Sequence, residues 1–223
     1  MAEITIDPEF RQLFPDAQIR TLTVHGLNNQ VDDSKTAHYQ ALLDDAMDEA
    51  QQYLTEDTFR FNPVVAQWRE AFTKFKKKRG ARSSIEALLK RVSQGKQLHP
   101  INPLVDIYNS VSLAYGVPCG GEDLSKIAGT MHLGVAKGGE AFHPLGEDED
   151  DPALPGEVIY YDDIGAVCRC FNWRDGARTE LTEQTTDAIL VIEAINEEQG
   201  KRAAEAVKVM SDSIVGELGA KVE

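Results

Sequence analysis

The sequence lacks the features that mark membrane, secreted and disulfide-rich proteins. It has no apolar run of about eighteen residues, which a membrane-spanning helix needs, and no basic start followed by an apolar stretch. Its cysteines, Cys119, Cys168 and Cys170, form no C-x-x-C pair, so neither a disulfide framework nor a zinc site is expected. We therefore expect buried free thiols in a cytoplasmic protein that has no membrane partner.

The common motifs of nucleotide, hydride and metal chemistry are also missing. There is no G-x-x-x-x-G-K-[ST], no G-x-G-x-x-G, no G-x-S-x-G and no H-E-x-x-H. The histidines show no metal-ligand spacing; they are His25, His38, His99, His132 and His143. We expect no cofactor and no metal.

Charge is distributed unevenly along this acidic chain, whose formal net charge is −14. That balance argues against a protein that wraps DNA. Residues 74–96 nevertheless hold nine basic residues and one acid, whereas residues 140–163 hold nine acids and no Lys or Arg. The basic stretch is either a contact for one nucleic-acid backbone or a solvated pair of helices. Its candidate contacts are Lys76, Lys77, Lys78 and Arg79.

Helical periodicity dominates the first half of the chain, after a predicted strand at residues 19–24. Residues 34–54 carry apolar side chains at i, i+3, i+4 and i+7, which predicts an amphipathic helix. Asn62 and Pro63 form a typical helix start, and we expect that helix to include Phe75 and to end at Gly80.

A second Asn-Pro pair, Asn102 and Pro103, opens the helix around which the later sequence is organised. Apolar residues follow at helical spacing until Gly116, and the next residues, GVPCGG, are expected to form a glycine turn that approaches another group closely. The period then changes to two, which predicts strands. Residues 186–195 are almost continuously apolar and predict a central strand in which Glu193 is buried. Helices, then strands, then a final helix indicate a mixed α+β fold.

Two segments resemble the editing domain of bacterial phenylalanyl-tRNA synthetase beta subunits. NPLVDIYNSVSLAYGVPCGGED is similar to a helix and turn of the form V-V-D-x-x-N followed by G-Q-P-x-H-A-F-D, and GARTELTEQTTDAILVIEA is similar to G-G-x-x-S-E-V-T-E-x-T. The matching positions of the first segment are Val105, Asp106, Asn109, Gly116, Pro118 and Asp123. The resemblance implies a β-sheet sandwich flanked by helices. It also implies one editing-like domain over residues 1–223, with a strand and helices in 1–97 and the editing-type core in 98–223.

By the same resemblance, the chain would remove a wrong amino acid from tRNA by ester hydrolysis. Backbone amides of Gly120 and Gly121 would hold the oxyanion, Asn109 would contact the substrate, and Glu193 would accept a tyrosine hydroxyl. The basic stretch would then contact the tRNA. The family's histidine is replaced by Gly120, so a proton shuttle would have to be His132, whose other interpretation is an ordinary sheet histidine. The alternative function is a binding module that recognises tRNA or an amino-acid-like ligand without turnover.

A dense polar group follows one of the predicted strands. Its members are Arg169, Asn172, Trp173, Arg174 and Asp175. Arginine suits bidentate contact with carboxylate or phosphate, and a tryptophan at a hairpin tip suits stacking, so the group is a candidate substrate site. The other interpretation is a surface hairpin turn. Glu193 likewise has a second interpretation, as the partner of one of these arginines.

Overall fold

The computed structural model describes residues 4–223, which form six α-helices and nine strands. The helices are α1 (Pro8–Leu13), α2 (Thr36–Glu49), α3 (Pro63–Ala71), α4 (Ser84–Ser93), α5 (Pro103–Tyr115) and α6 (Glu197–Leu218). The strands are β1 (Thr5–Ile6), β2 (Gln18–His25), β3 (Cys119–Asp123), β4 (His132–Val135), β5 (Val158–Tyr161), β6 (Ala166–Arg169), β7 (Arg174–Asp175), β8 (Asp187–Ala194) and β9 (Lys221–Val222). Within these residues, no helix combines the length and apolar character needed to cross a bilayer.

The strands form two sheets, one five-stranded with the order β1-β4-β5-β6-β7 and one four-stranded with the order β3-β8-β2-β9. Only β1 and β4 pair in parallel among the described strands. Strand β8 lies between β3 and β2, so the apolar run that contains Glu193 is an internal strand of its sheet, as predicted.

The two faces of β8 explain the layered architecture. Ile189 and Val191 pack in a core that also contains Leu133 and Val167 of the other sheet. Leu190 belongs instead to the core formed with α5 and α6. Because successive side chains of a strand point to opposite faces, β8 separates a sheet-to-sheet interior from a sheet-to-helix interior. The predicted mixed α+β sandwich flanked by helices is confirmed.

Helix α5 has the predicted ends. Asn102 Oδ1 accepts a hydrogen bond from the Val105 amide, and Pro103 occupies the first helical position. Gly116 ends the helix in the left-handed conformation, with φ of 60°. These signals fix where the helix begins and ends.

The predicted extent of α3 was wrong, because the helix ends at Ala71 rather than near Gly80. The Thr73 hydroxyl donates to the Glu70 carbonyl at 2.6 Å, and such a local bond competes with helix continuation. Phe75 is buried all the same, in an aromatic cluster around Phe171. The apolar spacing therefore identified buried residues beyond the end of the helix.

The predicted glycine turn was also wrong, since Gly120 and Gly121 lie in β3 and pair with Val191 and Leu190 of β8. The expected close approach is nevertheless present. A Cβ atom on Gly120 would lie 2.1 Å from Asn172 Nδ2, and one on Gly121 would lie 2.3 Å from a Leu190 methyl carbon. Glycine is required here by the neighbouring side chains rather than by a turn.

Candidate functional site

A pocket of about 210 Å³ opens beside α5, β3 and β7. We call it the α5–β3 pocket; its lining residues are Ile101, Asn102, Val105, Tyr108, Asn109, Gly121, Glu122, Leu145, Asp175, Glu180 and Leu181. Helix α5 contributes Tyr108 and Asn109, and β3 contributes Gly121 and Glu122. Apolar residues form part of the wall, so the polar groups converge in a partly water-excluded hollow.

Three residues that the sequence suggested for a site meet in this pocket: Asn109, Gly121 and Asp175. They come from a helix, a strand of the four-stranded sheet and a strand of the five-stranded sheet. The pocket thus lies where the edges of the two sheets meet α5. Their assignment as substrate contacts stays a prediction.

Glu122, which sequence reasoning missed, lies beside Cys168 and Asp175. The Cys168 sulfur is 2.8 Å from Glu122 Oε1 and 3.3 Å from Asp175 Oδ1. Burial raises the pKa of the Glu122 carboxyl and of the Cys168 thiol well above their ordinary values, and it raises the pKa of Asp175. The alternation of β3 was the available signal, because it places Glu122 on the same side of the strand as Gly120.

Glu193 lies inside the sandwich, and the phenol that it meets belongs to the protein itself. Tyr160 Oη donates a hydrogen bond of 2.9 Å to Glu193 Oε1. The other carboxyl oxygen of Glu193 is buried and has no hydrogen-bond partner within residues 4–223. Burial raises the pKa of Glu193 to about 8. The other interpretation of Glu193 was an ion pair with an arginine, but the side chain that contacts its Oε1 is Tyr160.

The side chain of Asn172 packs directly against Gly120. Its buried amide nitrogen has no partner in the described part of the chain. Gly121 lines the pocket, whereas Gly120 does not. Asn172 also lies close to Glu193, whose carboxyl its backbone N–H stabilises in the ionised form. The hairpin after β6 thus packs against β3 and β8.

His132 does not line the pocket. It lies on β4, where Nδ1 is 2.9 Å from an oxygen of Asp7 and the ring stacks on Tyr161 with 5.0 Å between ring centres. Its closest polar partner is therefore Asp7, and the structure does not bring it together with Gly121 or Asn109.

The guanidinium of Arg169 is engaged by protein groups. The side chain is 1% exposed and makes two hydrogen bonds to the Glu157 carboxylate, of 2.7 and 2.8 Å. It also pairs with Asp151 at 2.7 Å. Arg174 pairs with Glu147 and lies 5.8 Å from the ring centre of Trp173. Both arginines face a second cavity, of about 390 Å³, rather than the α5–β3 pocket.

The basic residues Lys78 and Arg79 line that second cavity together with acids of residues 147–151, which we call the acidic loop. Lys78 pairs with Asp151. The backbone amide of Lys76 donates to the carbonyl of Gly156 at 3.0 Å, which fixes the basic segment to the strand region. The two oppositely charged stretches of the sequence are therefore neighbours in space.

Comparison with known proteins identifies the family. The chain is 31% identical over 172 residues to the phenylalanine–tRNA ligase beta subunit of Nocardia farcinica, covering 75% of this chain and 20% of that protein. It is 37% identical over 94 residues to the beta subunit of Cutibacterium acnes, covering 42% of this chain and 11% of that one. The chain thus spans a fifth or less of these relatives.

A solved structure shares the fold. An N-terminal fragment of the phenylalanyl-tRNA synthetase beta subunit from Pyrococcus horikoshii matches 100% of this chain and 52% of that chain, with a TM-score of 0.54 and 13% identity. The family profile described as the B3/4 domain matches residues 67–215, a segment that runs from α3 almost to the end of α6. The chain is therefore a member of the B3/4 domain family.

Proposed function

We propose that this B3/4 protein hydrolyses the ester of a wrongly attached amino acid on tRNA, with the aminoacyl group bound in the α5–β3 pocket. The observation that carries the proposal is the convergence of Asn109, Gly121 and Asp175 on one hollow from three separate elements. The relatives that share the family are tRNA ligase subunits, which supports tRNA as the carrier of the substrate.

The size and charge of the pocket suit an aminoacyl group. Its volume of about 210 Å³ is below the ~300–1,000 Å³ of pockets for drug-sized ligands, so it fits a group of one side chain. An aminoacyl ester carries a positively charged α-amino group. Glu180 provides an acidic group for that amino group, and Leu181 and Val105 provide an apolar wall for the side chain.

The reaction in this proposal adds water across the ester. The water oxygen bonds to the carbonyl carbon, the bond from that carbon to the ribose oxygen breaks, and the ribose oxygen takes a proton. The developing oxyanion is stabilised by hydrogen-bond donors at the pocket, for which Gly121 N–H and the Asn109 side-chain amide are the candidates. Lys76, Lys77 and Arg79 are the proposed phosphate contacts of the tRNA, in a cytoplasmic setting.

A deacylation assay tests the proposal. The phenylalanine-specific tRNA charged with tyrosine and with phenylalanine is incubated with the protein, and release of the amino acid is followed. We expect faster release of tyrosine than of phenylalanine, and we expect Asn109→Ala to reduce the rate. Asn28→Ala, at an exposed position distant in sequence, is the matched control and should leave the rate unchanged. No release above buffer by the wild-type protein would contradict hydrolysis.

A second candidate, a binding module without turnover, is supported by the contact between Tyr160 and Glu193. The carboxyl group of Glu193, which could recognise a tyrosine hydroxyl of a substrate, already accepts a hydrogen bond from Tyr160. In addition, Gly120 occupies the position at which the family resemblance places a histidine. Retention of charged tRNA on a filter, with the ester intact throughout, would identify this function.

A further inference from the structure

The cluster of Glu122, Cys168 and Asp175 is built from three different strands at the inner side of the α5–β3 pocket. One donor atom from each residue lies within 4.8 Å of the other two. Glu122 and Asp175 also line the pocket, while Cys168 is fully buried beside them. Bond lengths of ~2.0–2.3 Å to a zinc ion in a tetrahedral site place the donor atoms about 3.3–3.8 Å apart. The Cys168 sulfur lies 2.8 Å from Glu122 Oε1 and 3.3 Å from Asp175 Oδ1, so small side-chain adjustments satisfy this geometry.

A buried carboxyl oxygen without a close partner belongs to this cluster. Glu122 Oε2 has no hydrogen-bond partner among residues 4–223, although Glu122 is only 3% exposed. The Thr179 hydroxyl, which is 0% exposed, lies beside the Glu122 carboxyl and favours its ionised form. An unsatisfied buried carboxyl oxygen is costly, so a further group bound at this point would stabilise the site.

The neighbouring arginines do not neutralise the cluster by contact. Arg178 directs its guanidinium to Asp162, with hydrogen bonds of 2.8 and 2.9 Å, and Arg174 pairs with Glu147. A divalent ion bound between Glu122, Cys168 and Asp175 would stabilise their carboxylates and thiolate directly by its charge.

We propose that Glu122, Cys168 and Asp175 bind a divalent transition-metal ion of the zinc type, with the remaining coordination position directed to the α5–β3 pocket. The thiolate selects zinc or cobalt over magnesium and calcium, which prefer oxygen-only sites. Three protein ligands with one position left open are typical of zinc sites that contact a substrate or water. The proposal concerns metal binding and does not depend on whether the pocket hydrolyses an ester.

Sequence spacing did not reveal this site because its ligands are far apart along the chain. Cys168 is 46 residues from Glu122 and 7 residues from Asp175. Neither separation matches the short C-x-x-C or H-x-x-H spacings of common zinc motifs. The pairing of β6 with β7, which sets Cys168 opposite Asp175, and the packing of β6 against β3 bring the three together.

Cobalt spectroscopy tests the site in the 223-residue protein. Addition of Co²⁺ to the metal-free wild-type protein should produce the charge-transfer absorption of a cobalt–thiolate bond, and Zn²⁺ should abolish it whereas Mg²⁺ should not. Cys168→Ser should lose the absorption. Cys170→Ser is the matched control, because that buried thiol lies 3.7 Å from another carboxylate, Glu157, and the variant should keep the absorption.

The melting temperature with and without Zn²⁺ provides a second test, which remains informative if one variant folds poorly. Zn²⁺ should raise the melting temperature of the wild-type protein and of Cys170→Ser, since a ligand that binds only the native state stabilises it. The isosteric variant Glu122→Gln should weaken Zn²⁺ binding by about tenfold or more. A wild-type protein that shows neither the absorption nor the thermal shift overturns the proposal, and so does an absorption that survives Cys168→Ser.

Discussion

The hydroxyl of Tyr160 donates a 2.9 Å hydrogen bond to the carboxyl of Glu193 across the interior of the sandwich. Tyr160 lies on β5 of the five-stranded sheet and Glu193 on β8 of the four-stranded sheet, so this bond joins the two layers. Both side chains are buried. Recognition of a substrate hydroxyl at Glu193 therefore has to compete with a phenol that the fold itself supplies.

Removal of that phenol hydroxyl should destabilise the fold. In Tyr160→Phe the Glu193 carboxyl loses its side-chain donor while staying buried, and an unsatisfied buried group of this kind costs about 1–3 kcal/mol. Urea unfolding at neutral pH measures the difference. Tyr161→Phe is the control, because Tyr161 donates to Asp7 at a partly exposed site and its loss should cost less. Equal losses in the two variants would contradict a special role for the buried pair.

Because of Glu193, the free energy of unfolding should decrease as the pH rises. Burial raises its pKa in the folded state to about 8, above the ordinary value of 4.5, so the native state binds more protons than the unfolded state between those values. Its contribution is present below about pH 4.5 and is lost progressively as the pH rises towards 8, with a slope of up to about 1.4 kcal/mol per pH unit.

Comparison of Glu193→Gln with the wild-type protein isolates the contribution of Glu193 to stability. Glu193→Gln cannot ionise, so the difference in unfolding free energy between it and the wild type should shift in favour of the variant as the pH rises from 5 to 8. Denaturant unfolding across this range measures the difference. The groups near Glu193, namely Tyr160, the Asn172 amide, Asp175 and Cys119, are present in both proteins, so the difference reports Glu193 together with its coupling to them. A difference that is constant with pH would show that Glu193 titrates at its ordinary value.

Local signals allowed several elements to be predicted from the sequence. Asn102, Pro103 and Gly116 act within one or two helical turns, so their effect on α5 is readable without the fold. The apolar run around Glu193 predicted an internal strand for the same reason. Gly120 and Gly121 were misjudged because glycine permits both turns and extended strands, and pairing with β8 decides between them.

Contacts between the two sheets could not be predicted from the sequence. The bond between Tyr160 and Glu193 spans 33 residues, and the contact between Cys168 and Glu122 spans 46. Such pairs depend on how two sheets pack, which no short motif specifies. The same limit applies to the pocket. The resemblance suggested Asn109 and the dense polar group suggested Asp175, but only the fold brings Glu122 into the same pocket.

The acidic loop should reduce the affinity of the basic segment for tRNA. Glu149 and Asp150 line the same cavity as Lys78 and Arg79, so they lower the positive potential that a phosphate backbone would meet. Glu149→Gln combined with Asp150→Asn should tighten tRNA binding and steepen its dependence on salt. Filter binding over a range of salt concentrations measures both effects.

A control with the same change in net charge separates local from overall electrostatics. Asp45→Asn combined with Asp48→Asn removes two exposed acids from α2, away from the cavity, and should change tRNA binding much less. Charge reversal of Lys77 and Arg79 to Glu should weaken binding and flatten the salt dependence. If both pairs of acid substitutions tighten binding equally, the effect is one of net charge and the acidic loop has no particular role.

A methyl group at Gly120 should disrupt the contact between β3 and the hairpin after β6. In Gly120→Ala the new Cβ would lie 2.1 Å from Asn172 Nδ2, so the hairpin has to move, and overpacking of this kind costs about 1–3 kcal/mol. Gly216→Ala is the matched control, since a Cβ at that exposed position of α6 meets no atom within 4 Å. There, the better helix propensity of alanine should stabilise the protein by about 1 kcal/mol.

A double-mutant cycle then assigns the cost at Gly120 to its neighbour. Asn172→Ala removes the amide that a Cβ on residue 120 would meet, so the combined variant Gly120→Ala with Asn172→Ala should be more stable than the sum of the single changes predicts. Chemical unfolding of the four proteins measures this coupling. Additive losses would mean that Gly120 is required for the backbone conformation of β3 instead, and that Asn172 does not set the spacing between the hairpin and the strand.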